Sequence, residues 1–302
     1  MVAVIDGQAS APYVGFLDGS LRFSPDSGRV AFAVQIRPPN GFSFYVGSPN
    51  KWVMVVDGRA GSPYDEIGPP VFSPDGKHVA YTAVRARVGL GLPPFREEQL
   101  VVADGQEGQV YDGIGDGTPV FTPDGRLVYK AYVGEKLGVV VDGVRGRLYD
   151  DLASGPPVVS PDGRHVAYAA RVAGKSLLIL DGAESPAYDA VGEGTPVFSP
   201  DGTRVAYDAR LGTKWAVVAD GSEWPQRYDA TLRDTPLFSP DGRHVISAVQ
   251  RGGAEIVVDG QAGQAYDAVV PGTARIVFDS ATSFHYLAIR GTRWYVVEET
   301  LN

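Results

Sequence analysis

The stretch Pro196-Val197-Phe198-Ser199-Pro200-Asp201-Gly202-Thr203-Arg204-Val205-Ala206-Tyr207 decides the fold, because the chain repeats it from one end to the other. Close copies run over 70–81, 119–129, 157–168 and 236–247. A variant over 21–32 carries Ser27 before Gly28, and a decayed copy over 275–288 has Phe278-Asp279-Ser280 in place of the motif. Val, Phe and Tyr favour a pleated, half-buried strand. Pro fixes φ, Asp bonds its own backbone and Gly takes φ > 0, so each copy reads as strand, tight turn, strand.

A second phrase lies between the copies: an apolar run, Asp-Gly, a few polar residues, then Tyr-Asp. Trp52–Asp65, Val101–Asp112, Leu177–Asp189 and Trp215–Asp229 are examples. Each repeat therefore holds four short strands: Val-Phe-Ser, then Val-Ala-Tyr, then the apolar run, then the segment around Tyr-Asp. No window shows a 3.6-residue apolar period, so helices are expected to be nearly absent. The motif position is held by Phe23, Phe72, Phe121, Val159, Phe198, Phe238 and Phe278, at spacings of 49, 49, 38, 39, 40 and 40. Four strands in about forty residues make a propeller blade. One blade cannot bury both of its faces, whereas blades packed side by side can.

The reading is a single all-β domain over 1–302, a seven-bladed β-propeller of four-stranded antiparallel blades. The blades are expected at 20–67, 70–114, 118–152, 156–191, 195–230, 234–269 and 274–302. The segment 1–17 supplies a third-strand-like run, Val2–Ile5, and a fourth-strand-like run, Tyr13–Phe16, predicted to complete the last blade and close the ring. Trp294–Val297 makes an eighth third-strand-like run. One of the two is then an extra edge strand or pairs with another molecule, which leaves a dimer through that edge open.

Composition narrows the function. Apolar residues make up 44% and charged residues 21%, enough for a sizeable core and too balanced for disorder. The 38 Gly and 23 Pro suit many hairpins. A net charge of −9 with no Lys/Arg run argues against nucleic acid. With no Cys, disulfides, thiolate catalysis, iron–sulfur clusters and Cys-type zinc sites are excluded. No stretch of 18 apolar residues marks a membrane helix. Met1-Val2-Ala3-Val4-Ile5-Asp6 reads as repeat sequence and not as a signal peptide.

Ser-Pro-Asp-Gly, a basic residue and Val-Ala-Tyr together resemble the TolB-like, WD-repeat-like propeller repeat over nearly the whole chain. That resemblance implies the propeller fold and a periplasmic or extracellular setting. It implies no shared catalytic residues. Propellers of this type serve as scaffolds, or as lids beside serine-peptidase domains.

His78, His165 and His244 share one slot after Asp-Gly, which Leu127 and Arg204 fill elsewhere, and His285 enters an equivalent strand; a structural role is expected for all four. Asp75, Asp124, Asp162, Asp201 and Asp241 read as turn residues, as do Asp57, Asp104, Asp142, Asp181, Asp220 and Asp259. A third set follows Tyr: Asp65, Asp112, Asp150, Asp189, Asp229 and Asp267, with Val14 standing in the first position. These carboxylates are expected to take backbone hydrogen bonds or to pair with basic residues of adjacent blades such as Lys136, Lys175 and Lys214; a bound cation is the alternative. No nucleophile elbow, zinc helix or phosphate loop is present.

The clue to function is an irregularity. The two long spacings put extra residues between the second and third strands of the first two blades, at Gln35–Lys51 and Arg85–Gln99. These loops hold Phe42, Phe44, Tyr45 and Phe95 beside Arg37, Arg85, Arg87 and Arg96. Aromatic residues with Arg anchor binding surfaces, and insertions in repeats map to the binding face. The expected function is a non-enzymatic scaffold that recognises a protein, peptide or glycan there, with no cofactor. The alternatives are a propeller enzyme with a channel metal, a structural or oligomer-forming propeller, and an insertion that is merely tolerated.

Overall fold

The computed structural model describes residues 1–5, 7–37, 50–87, 96–117, 119–270 and 276–301. Strand is the only regular structure among them. Seven antiparallel sheets of four or five strands follow one another along the chain, preceded by a small N-terminal hairpin. With the forty-residue repeat, this is the all-β, seven-bladed β-propeller class. The chain divides into two compact units. The first, Met1–Leu148 with Ser154–Pro157, carries the hairpin and blades one to three. The second, Tyr149–Ala153 with Val158–Asn302, carries blades four to seven.

The fifth blade shows how a repeat is built. Val205–Leu211 pairs with Lys214–Ala219, which pairs with Ser222–Glu223. The outer segment then returns so that Tyr228 bridges to Trp215. The first strand is broken in two. Ala190–Val191 pairs with Arg210 and Ala209, while Val197–Phe198 pairs with Ala206 and Val205. Gly192 sits at the break, where a Cβ would stand 2.8 Å from the Cβ of Asp208. Only glycine lets the two strands approach so closely.

This pairing moves the blade borders. The pair of residues after each Tyr-Asp lies on the next blade's second strand, as at Glu66–Ile67, Gly113–Ile114, Asp151–Leu152, Ala230–Thr231 and Ala268–Val269. Tyr64, Tyr111, Tyr188, Tyr228 and Tyr266 stay with their own third strands, and the chain crosses over directly after each. The same holds at the N-terminus. Tyr13–Phe16, expected in the last blade, instead delivers Gly15–Phe16 to the first blade's second strand, opposite Gln35 and Val34. Val4–Ile5 pairs with Gln8–Ala9 as a two-stranded sheet of its own. In the last blade, the third strand Arg293–Thr300 lies at the sheet's edge, with Trp294 and Val296 exposed.

The Ser-Pro-Asp-Gly turn is a small hydrogen-bonded knot. In the fifth blade the Ser199 hydroxyl donates to Asp201 at 2.5 Å and accepts from the Arg204 amide at 2.9 Å. Asp201 in turn accepts from the Thr203 amide at 3.1 Å. Ser73, Thr122, Ser160, Ser199 and Ser239 are all fully buried at this point. The hydroxyl gives its aspartate a partner, which holds Asp75, Asp162, Asp201 and Asp241 below the usual carboxylate range. The Asp-Gly turn between third and fourth strands does more than turn. Asp57, Asp104, Asp142, Asp181, Asp220 and Asp259 take φ between 47° and 51°. Each accepts the amide that opens its blade's second strand, as Asp104 does from Val79 at 3.0 Å.

Paired tyrosines fill the space between blades. The tyrosine of Tyr-Asp meets the tyrosine of the next blade's Val-Ala-Tyr edge to face, in the pairs Tyr64–Tyr81, Tyr111–Tyr129, Tyr149–Tyr168, Tyr188–Tyr207 and Tyr266–Tyr286. Their ring centroids lie 6.1–6.4 Å apart. Such pairs add about 0.5–1.5 kcal/mol each beyond the area they bury. Burial pushes Tyr81 and Tyr168 up to about 12. These hydroxyls therefore stay neutral at any ordinary pH.

Candidate functional site

Each blade has two ends, and the repeated charged residues divide between them. At the Ser-Pro-Asp-Gly end, the slot shared by His78, His165 and His244 is explained by its neighbours. Each Nδ1 meets the carboxylate of the adjacent Asp-Gly turn: Asp104 at 2.6 Å, Asp181 at 2.6 Å and Asp259 at 2.7 Å. His78 also faces the Phe121 ring of the following blade, and His165 stacks on Phe198. Arg29 and Arg204 stand in for histidine by bonding Asp57 and Asp220 at 2.9 Å. Their guanidinium groups lie 5.6 Å from Phe72 and 5.2 Å from Phe238, a cation–π contact across the junction. Arg204 also donates to the Gly242 carbonyl at 3.1 Å. His285 bonds Asp279 within its own hairpin at 2.9 Å. His78, His165, Arg29 and Arg204 thus touch the following blade, while His244 and His285 bond within their own.

At the other end lie the hairpins joining second and third strands, where the Tyr-Asp carboxylates gather. Asp112, Asp150, Asp189 and Asp267 accept amides from the next blade's hairpin turn: Gly134 at 2.7 Å, Ala173 at 2.8 Å, Gly212 at 2.6 Å and Gly291 at 2.6 Å. Lys175, Lys214 and Lys51 bond Asp189, Asp229 and Asp65. These lysines belong to the blade that supplies the aspartate and not to an adjacent one. The Lys175 ammonium and the Gly212 amide hold Asp189 below its usual range, and Lys214 does the same for Asp229. Among the described residues, no three His, Asp or Glu side chains converge as metal ligands would.

Of the residues proposed for binding, Arg37, Arg85, Arg87 and Arg96 are described, and they belong to this second end of the first two blades. Phe42, Phe44, Tyr45 and Phe95 fall outside the described residues. Arg37 follows the strand Val30–Ile36 and is exposed. Arg85, Arg87 and Arg96 are strand residues and not loop residues. The second blade's ladder continues through Arg85↔Glu98 to Arg87↔Arg96, because the second strand there runs Val79–Arg87. Arg85 is committed to packing. It bonds Glu107, which also accepts from the Tyr64 hydroxyl at 2.8 Å, and it lies 5.5 Å over the Tyr64 ring. Its place is the junction of the first and second blades.

Two residues of consequence escaped the motif reading. Asp208 sits in the fifth blade's second strand, on the face shared with the sixth blade, and one of its oxygens is buried without a hydrogen-bond partner. Burial pushes it up to about 7, against a hydrogen bond from Thr231 that pulls the other way. Trp224 is the second. It occupies the position held by Gly61, Gly108, Gly146, Ser185 and Gly263 in other blades, and it is buried with Phe238, Val245 and Val257. Where the next blade should present a tyrosine, Ser247 stands instead. The two substitutions match in space: the indole fills what a phenol ring fills elsewhere. A column-by-column comparison of the repeats carries that signal.

No family model matches the chain, and no curated protein matches it. Solved structures do. The β-propeller domain of the Trilobed protease from Pyrococcus furiosus, which has an open velcro topology, is 14% identical, with 96% of this chain and 98% of that chain covered and a TM-score of 0.36. Dipeptidyl peptidase 4 of Porphyromonas gingivalis is 12% identical, with 95% of this chain covered and a TM-score of 0.41; the chain spans about half of that protein, 52%. Acylaminoacyl peptidase of Pyrococcus horikoshii is 15% identical, with 96% and 52% covered and a TM-score of 0.33.

Proposed function

We propose that the chain is a non-enzymatic binding scaffold that recognises a protein, peptide or glycan at the hairpin end of its first two blades. One observation carries this reading. The third, fourth and fifth blades turn at Val133↔Lys136, Val172↔Lys175 and Leu211↔Lys214, whereas the second blade's ladder runs on to Arg87↔Arg96 and the first blade spends fourteen residues, 37–50, between its strands. The longer strand pair ends at Arg87 and Arg96, Arg37 follows the second strand of the adjoining blade, and the sequence places Phe42, Phe44, Tyr45 and Phe95 within the same two insertions. Arg85 is left out of the contact surface because Glu107 and Tyr64 already hold it. The TolB-like, WD-repeat-like phrase agrees with a scaffold, and with a periplasmic or extracellular setting for it.

The test is photo-cross-linking in extract from the source cells. A benzophenone residue at position 44 or 95 is expected to give discrete adducts, and one at Val144, an exposed position on the third blade's outer strand, to give none. Equal yields at all three positions would overturn the reading. So would adducts at position 95 that survive when residues 37–50 are replaced by a two-residue turn.

A further inference from the structure

In six blades a fourth strand covers the outer edge of the third, as Ser222–Glu223 does in the fifth and Gln261–Ala262 in the sixth. These outermost strands are poor templates for a further strand. Five are two residues long, and that of the first blade carries Pro63. Short strands and proline are two of the ways in which proteins guard an open edge. The seventh blade has neither guard. Its third strand, Arg293–Thr300, runs for eight residues without Pro, Gly or Lys. Among the described residues it pairs only with the second strand, Ser283–Arg290.

The ladder shows which backbone groups are left over. Along an antiparallel strand the N–H and C=O groups turn alternately to one side and the other. The Leu301 amide donates to the Thr282 carbonyl at 2.7 Å, so the odd-numbered residues bond the second strand. Trp294, Val296 and Glu298 therefore turn their N–H and C=O groups outward. Trp294 and Val296 are each 64% exposed. The odd-numbered side chains face the sixth blade. There Tyr295 meets Tyr266 with ring centroids 6.2 Å apart, and one oxygen of Glu299 accepts from the Tyr286 hydroxyl at 3.4 Å.

We propose that this edge pairs with the same edge of a second copy of the chain, antiparallel about a two-fold axis at Val296. The charges choose both the occupant and the register. Arg293 opens the strand, and Glu298 and Glu299 close it. A parallel copy would set like charges side by side, whereas an antiparallel copy sets unlike ones together. A two-fold axis across two antiparallel strands requires one residue to face itself. Val296 is midway between Arg293 and Glu299, so with Val296 on the axis each Arg293 stands opposite the partner's Glu299. Centring on Tyr295 or Val297 would set Arg293 opposite the partner's Val297 or the partner's Leu301, and both ion pairs would be lost. The Val296 register also engages all three outward-turned residues. Val296 exchanges two hydrogen bonds with its own copy, and Trp294 exchanges two with the partner's Glu298.

Sedimentation equilibrium of the full chain is expected to show a concentration-dependent dimer. The chain has no Cys, so single-cysteine variants report the register cleanly. Facing residues of a hydrogen-bonded antiparallel pair have Cα atoms about 5.5 Å apart, within disulfide reach. Val296→Cys is expected to form a covalent dimer on mild oxidation. Val297→Cys is expected not to, because it faces the partner's Tyr295. Val296→Pro removes an outward amide that makes no bond within its own hairpin, so the blade keeps its ladder and the dimer is expected to be lost. Arg293→Glu sets like charges in both pairs and is expected to weaken association roughly fivefold or more. The proposal is overturned if wild type stays monomeric up to its solubility limit, or if Val296→Cys fails to cross-link or does so no better than Val297→Cys. It is also overturned if Val296→Pro or Arg293→Glu leaves the dimer as strong as before. The two cysteine variants decide the matter alone if the proline variant loses its strand signal in circular dichroism.

Discussion

Two neighbouring junctions solve one packing problem with different residues. Between the fourth and fifth blades, Tyr188 meets Tyr207 at 6.1 Å, and the small Ser185 gives the second ring room. Between the fifth and sixth blades Tyr228 has no ring to meet. Ser247 replaces the expected tyrosine, and Trp224 brings its indole from the other side of the junction. The volume is conserved and its source is reversed. Interiors tolerate substitutions that keep total volume, and they resist those that open a void. The repeat is therefore a specification of filled space between blades more than a fixed list of residues. The same junction departs a second time at Asp208, whose counterparts in the fourth and sixth blades are Ala169 and Ala248.

This comparison can be broken at several points. The largest effect is expected from Tyr207→Ala, which removes a fully buried ring and its partner contact. Such truncations cost about 3–5 kcal/mol, read as a lower denaturant midpoint for the second unit. A change under about 1 kcal/mol would mean that the ring pairs do not hold the blades. Trp224→Ser alone should cost nearly as much, about 3 kcal/mol, because Ser247 offers nothing to fill the space.

Asp208 sharpens the contrast through pH. Its folded value of about 7 lies above the ordinary value for aspartate, so the folded chain binds the extra proton between those two values. Stability contributed by this site then falls as pH rises from about 4 to about 7, and it stays flat beyond that window. Asp208→Asn should leave thermal stability unchanged near pH 4 and raise it relative to wild type above pH 7. Parallel curves for the two proteins would contradict the burial argument. The smallest effect belongs to Lys214→Met. The Lys214–Asp229 pair is solvent-exposed and screened, so the midpoint should not move measurably at neutral pH. A shift as large as that of Trp224→Ser would show that this end of the blade carries weight assigned here to the junction cores.

Much of this was legible in the sequence, for local reasons. Pro-Asp-Gly and Asp-Gly turns act over three or four residues, so their spacing displays the blades directly. The histidine slot was legible as structural because it recurs, although its partners across the junction were not. The blade borders were misplaced by a few residues. Ala190–Val191 and Val197–Phe198 are ladders of two residues each, too short to show an alternating pattern, and only pairing reveals that they share a strand. Arg85, Arg87 and Arg96 looked like loop residues because the insertion's length gave no hint that part of it extends the ladder. The Trp224 exchange was hidden because the indole and Ser247 lie in different phrases of different repeats, and each looks like decay when read alone.

The most direct measurement is a double-mutant cycle on that exchange. Trp224→Ser, Ser247→Tyr and the double variant would be unfolded in guanidinium beside wild type. Filled volume as the governing rule predicts that Ser247→Tyr destabilises the wild-type background by overpacking and rescues Trp224→Ser, with a coupling of about 1–3 kcal/mol. Additive losses, leaving the double variant less stable than either single one, would contradict it.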